Sequence, residues 1–89
     1  MKITASHILV KTLEEAKVLK AQLDTGADFA ALARAHSTCP SGPMGGNLGF
    51  FGKGQMVKEF EDAVFALPVG NISNPVQTQF GFHLIKRLY

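Results

Sequence analysis

The chain has 89 residues, of which 46% are hydrophobic and 18% charged, with a formal net charge of +2 and one cysteine, Cys39. That length suits one domain around one small core, so residues 1–89 are read as a single domain. The basic residues are spread from Lys2 to Arg87, which argues against a nucleic-acid or lipid-binding patch. No run approaches the ~20 apolar residues that span a bilayer, there is no signal-peptide pattern at Met1–Ser6, and a single thiol fits a reducing compartment. The expectation is a cytoplasmic chain without membrane or nucleic-acid partners, monomeric by default at this size.

Ile3 to Val10 is rich in β-formers and reads as a strand, with Ile3, Ala5, His7 and Leu9 on one face by the period of two. Thr12-Leu13-Glu14-Glu15 is a capping-box pattern in which Thr12 accepts a first-turn amide and Glu15 reaches back. A helix follows, with Leu13, Ala16, Leu19 or Lys20, and Leu23 at helical spacing, ended by Gly26. Asp28 caps a second helix carrying a stripe of Phe29, Leu32, Ala33 and His36. Ser37 to Gly46 is a Ser-, Pro- and Gly-rich loop. Leu48 to Phe51 is a short strand, Gly52 to Gln55 a turn, and Val57 to Ala66 a third helix stopped by Pro68 and Gly70. Pro75–Thr78 and Phe82–Tyr89 form a hairpin about Gln79-Phe80-Gly81. Strands and helices mixed without strict alternation favour an α+β fold with a mainly antiparallel sheet.

Two segments stand out: Gly45–Met56, dense in glycine yet carrying large apolar side chains, and Thr78-Gln79-Phe80-Gly81-Phe82-His83, a tight turn running into a strand that opens on a histidine. Glycine lets backbone or ligand approach closely, so such segments shape recognition surfaces. His7 and His83 each read singly as buried, satisfied histidines. Together they can also form a hydrogen-bonded chain with the Thr78 hydroxyl and stiffen a sheet beneath a site. His36 reads as structural. Cys39, in its proline- and glycine-bounded loop, is either a polar group or a nucleophile with His7 or His83 as base, although no cysteine-hydrolase signature surrounds it. The thiol and the three histidines are too scattered for a structural zinc site, and no metal is expected. Leu48, Met56, Phe60 and Phe80 are either plain core or the wall of an apolar pocket.

His7-Ile8-Leu9-Val10, Phe29 with Leu32-Ala33, Cys39-Pro40-Ser41-Gly42, Gly45-Gly46-Asn47-Leu48-Gly49, Gly54-Gln55-Met56-Val57, Phe60-Glu61, Ala63-Val64-Phe65 and Phe80-Gly81-Phe82-His83 occur in that order through nearly the whole chain. In these segments the sequence resembles the parvulin family of peptidyl-prolyl cis/trans isomerases, most closely its small, non-phosphospecific prokaryotic members. The resemblance implies a four-stranded sheet surrounded by helices and an activity that needs no cofactor. It implies a proline pocket of Leu48, Met56, Phe60 and Phe80 over a polar, catalytic floor of His7, Cys39, Thr78 and His83. The implied partners are proline-containing peptides and unfolded or partly folded proteins, whose folding the enzyme assists. The phospho-specific branch carries basic residues in an extended loop after the first strand, and here that loop is only Lys11-Thr12. A peptide-binding or chaperone module with little turnover is the alternative class.

Overall fold

The structure is a computed structural model and describes residues 2–89. The elements run β1 (Lys2–Val10), α1 (Leu13–Asp24), α2 (Phe29–His36), a 3-10 turn (Gly42–Met44), β2 (Asn47–Gly52), α3 (Lys58–Ala66), β3 (Val76–Thr78) and β4 (Gly81–Arg87). The strands form one sheet in the order β2-β1-β4-β3, with every neighbouring pair antiparallel. The α+β architecture expected from the pattern is therefore present, and its sheet is wholly antiparallel.

β1 lies in the middle of the sheet and is covered on both faces. Ile8 and Val10 pack with Leu84 against Ala16, Leu19 and Leu23 of α1 and Phe29 and Ala33 of α2. On the other face Ile3, Ala5 and Ile85 pack with Phe51 against Phe60 and Val64 of α3. Each apolar stripe thus has its own layer, and burial of that area is the main stabilising contribution.

Local signals set the helix starts. Thr12 Oγ1 accepts the Glu15 amide at 3.2 Å and Asp28 Oδ2 accepts the Ala31 amide at 2.9 Å. Such caps contribute about 1 kcal/mol each. The reciprocal half of the capping box is replaced, since the Thr12 hydroxyl donates to the Glu15 carboxylate at 3.4 Å. α1 ends at Asp24, and Gly26, at φ +103, follows as its left-handed terminator.

Beyond one-residue shifts at the ends of several elements, three features differ from expectation. β4 stops at Arg87 rather than Tyr89, because the amides of Leu88 and Tyr89 both turn onto the Thr4 carbonyl instead of continuing the ladder. Loop 37–46 contains the 3-10 turn Gly42–Met44. His36 is exposed rather than part of the buried stripe of α2, where Phe29 and Ala33 carry the contact.

Candidate active site

The α3 face of the sheet changes character along its strands. On β1, Ile3 and Ala5 sit in the core, and the next residues on that face are His7 and Leu9. On β4 the same face carries Ile85 in the core and then His83. The register pairs His7 with Ile85 and Leu9 with His83, which makes the two imidazoles diagonal neighbours. Their Nδ1 atoms lie 3.0 Å apart, and the rings stack at 5.1 Å and 17°.

The chain of hydrogen bonds continues to the β3–β4 hairpin. His83 Nε2 lies 2.7 Å from Thr78 Oγ1, which also accepts the Phe80 amide at 3.1 Å. Thr78 pairs with Gly81 across a two-residue turn, Gln79-Phe80. Gly81 adopts φ +137, and a Cβ there would meet the Val10 carbonyl, so the hairpin can close over β1 only with glycine at this position. One residue, Thr78, thereby ties the turn tip to the imidazole pair.

Phe60 locks both rings from α3. It packs edge-to-face on His7 at 5.5 Å and 84° and on His83 at 5.3 Å and 78°. His7, His83 and Phe60 are all nearly inaccessible, at 5%, 4% and 3% exposure. Burial, with His83 alongside, pushes the His7 pKa from 6.5 down to about 4. Burial lowers His83 as well. Desolvation penalises imidazolium, so both rings are neutral near pH 7.

The loop after α2 is pinned to β1 at both ends. Ser37 Oγ accepts the Leu9 amide at 3.0 Å, and the Thr38 amide donates to the Leu9 carbonyl at 2.8 Å. At the far end the His7 amide donates to the Gly46 carbonyl at 3.0 Å. Gly46 has φ +81, and a Cβ would fall on the His7 carbonyl oxygen. This double anchor brings Cys39 over the sheet, where its Sγ accepts the Ser41 hydroxyl at 3.3 Å. On the opposite side Gln55 Oε1 accepts the Gly52 amide at 2.7 Å, and Glu61 Oε1 accepts the Gly54 amide at 2.5 Å. These bonds hold the turn that presents Met56.

The result is a cavity of about 560 Å³ with mostly apolar walls. Of the residues singled out from sequence, His7, Cys39, Leu48, Met56, Phe60, Phe80 and His83 line it. Thr78 does not reach the wall and stands behind His83. Phe80, at the turn tip, is 59% exposed and forms part of the rim. His36 is not in the lining. Leu9, Thr38, Pro40, Gln55 and Val57 also line the cavity and were not anticipated. Leu9 could have been found, because it shares the His7 face by alternation, whereas the others are neighbours in sequence of Cys39 or Met56. Among the described residues no group of three or more His, Cys, Asp or Glu could hold a metal ion.

The site is thus a cavity with mostly apolar walls above a buried, neutral, hydrogen-bonded imidazole pair. Fold and site together define a peptidyl-prolyl isomerase domain. Residues 7–88 match the family model described as a rotamase, PPIC-type PPIase domain. The chain belongs to that family, the parvulin-type peptidyl-prolyl cis/trans isomerases. The solution structure of NmPin, the parvulin of Nitrosopumilus maritimus, superimposes with a TM-score of 0.89 at 47% identity, over 99% of this chain and 96% of that one. The crystal structure of the peptidylprolyl isomerase PrsA from Bacillus anthracis gives a TM-score of 0.97 at 49% identity, over 98% of this chain and 41% of that one. The foldase protein PrsA of Geobacillus sp. (strain WCH70) is 57% identical over 86 residues, 96% of this chain and 31% of the relative. The chain thus spans about a third of the length of that curated relative.

Proposed function

We propose that residues 1–89 act as one catalytic domain that accelerates rotation about X-Pro bonds in unfolded or partly folded clients, non-covalently and as a monomer. The observation that carries this reading is the neutral imidazole pair set beneath an apolar cavity. An X-Pro bond resists rotation because twisting costs amide resonance, with a barrier of ~18–20 kcal/mol. The twisted amide carries less charge on its carbonyl oxygen than the planar one. A pocket that strips water from that oxygen therefore favours the twisted form. Leu48, Met56 and Phe60 would grip the pyrrolidine ring, with Phe80 closing the rim. Each tenfold in rate requires about 1.4 kcal/mol of preferential binding to the twisted form.

His7, His83 and Thr78 are assigned to the rigid floor, and Cys39 to polarity at the cavity edge. The partner of Cys39 Sγ is the Ser41 hydroxyl, which supports a polar role over attack on the carbonyl. Assistance to folding is supported by the foldase name of the Geobacillus relative. The lone thiol supports a cytoplasmic location, and recovery of the native chain from an exported fraction would overturn that part.

The test is cis/trans exchange in Leu-Pro and Met-Pro peptides, followed by NMR exchange spectroscopy with catalytic amounts of protein. Accelerated exchange without covalent change supports the reading. Peptide binding without acceleration would point to a binding module instead.

A further inference from the structure

A second depression, of about 700 Å³, lies on the other side of Gln55 and is lined by Lys2, Gly52, Lys53, Gln55 and Phe65. Gln55 is part of the wall of both this depression and the apolar cavity. The two are therefore consecutive stretches of one surface. Lys2 stands opposite Gly52 in the β1–β2 ladder, and Lys53 Nζ lies 5.5 Å from the centroid of the Phe65 ring. Among the described residues the ion pair formed is Lys20 with Asp24, and no carboxylate neutralises Lys2 or Lys53. Glu61 has an oxygen committed to the Gly54 amide.

From this continuity we infer that the Lys2–Lys53 depression is a subsite for an acidic residue of the client peptide, which makes acidic-flanked X-Pro segments the preferred substrates. This rests on the isomerase reading of the neighbouring cavity. Lys53 and Met56 are three residues apart, so their Cα atoms lie within ~11 Å of each other. An extended peptide covers that span in about three residues. The acidic side chain therefore belongs two to four residues from the proline, on one side of it. Two uncompensated ammonium groups attract a carboxylate, and Gln55 is the hinge point between the apolar and the cationic stretch.

The experiment is a peptide scan in which Glu, Ala or Lys occupies each position two to four residues before or after proline. Affinity is read from amide shifts on titration and turnover from exchange spectroscopy, on the full chain. Expected is a roughly three- to tenfold lower Kd and KM for Glu than for Lys at one or two positions on one side, shrinking at 0.5 M salt as screened charges require. Lys2→Glu with Lys53→Glu should reverse the ranking. Equal affinities for Glu, Ala and Lys at every position overturn the subsite, as does a loss in the double variant that is the same for all three peptides. Charge-dependent binding without accelerated exchange would uphold the subsite and overturn the isomerase reading.

Discussion

His7 and His83 hold a single proton between them. Their Nδ1 atoms are 3.0 Å apart, a separation that admits one N–H and one lone pair but not two N–H groups. In one order Thr78 donates to His83 Nε2, His83 Nδ1–H donates to His7 Nδ1, and the His7 proton sits on Nε2. In the other order every donor is reversed. Either way His7 Nε2 is buried without a hydrogen-bond partner among the described residues. The imidazole pair beneath the cavity is thus polar but uncharged.

That arrangement makes stability depend on acid. His7 in the folded state is lowered to about 4, against 6.5 for the free group. Between those values the unfolded chain binds the extra proton, so stability is full above about pH 6.5 and declines as pH falls toward 4. The loss from His7 approaches about 3 kcal/mol, with His83 acting in the same direction. Urea melts at pH 7.5, 6, 5 and 4.5 should show a falling midpoint, and His7→Asn should flatten the acid side. A midpoint unchanged from pH 7.5 to 4.5 would sink the neutral-pair account.

Thr78→Val tests the relay from the hairpin. The substitution keeps shape but removes the partner of His83 Nε2 and of the Phe80 amide. The expected cost is about 1–3 kcal/mol in stability, from buried groups left unpaired. Imidazole nitrogen resonances should report a mixture of tautomers, and kcat should fall more than KM rises. Native tautomers and native kcat in the folded variant would show that Thr78 does not set the floor.

Phe60 and Met56 separate core from pocket. Phe60 is 3% exposed and packs on Phe51 as well as on both imidazoles, so Phe60→Ala should cost about 3–5 kcal/mol and confound any activity measurement. Phe60→Leu is the better probe. Met56 is only partly buried on the cavity wall. Met56→Ala should lower kcat/KM roughly tenfold, about 1.4 kcal/mol, while leaving the melting midpoint nearly unchanged. Wild-type kcat/KM in Met56→Ala would remove that residue from the proline pocket.

Cys39 distinguishes the two chemical routes. Cys39→Ser and Cys39→Ala should both retain activity within a few-fold, because the proposed role is polarity at the cavity edge. Loss to background in both, with intact folding, would restore a nucleophilic mechanism.

Gly46→Ala probes the anchor between loop and sheet. The added methyl would collide with the His7 carbonyl, and φ +81 strains any residue with a side chain. The expected outcome is a destabilised fold, by more than ~1 kcal/mol, together with shifted His7 and His83 resonances. Unperturbed imidazole signals in this variant would show that the anchor does not position His7.

Much of this molecule follows from the sequence alone. Alternation on Ile3–Val10, the caps at Thr12 and Asp28, and the stops at Gly26 and Pro68 determine where elements begin and end, because they act over a few residues. The choice of His7, His83, Cys39, Leu48, Met56, Phe60 and Phe80 as one site followed from ordered resemblance to a family, since residues so distant along the chain have no local signal that unites them. Tertiary structure decided the rest. The β1–β4 register set the imidazoles diagonal and one proton apart. The loop anchors at Leu9 and Gly46 delivered Cys39 to the cavity edge, and the hairpin placed Thr78 behind His83 rather than in the wall. Burial from both layers made the histidines neutral. These are matters of long-range pairing and exclusion of water, and no short stretch of sequence encodes them by itself.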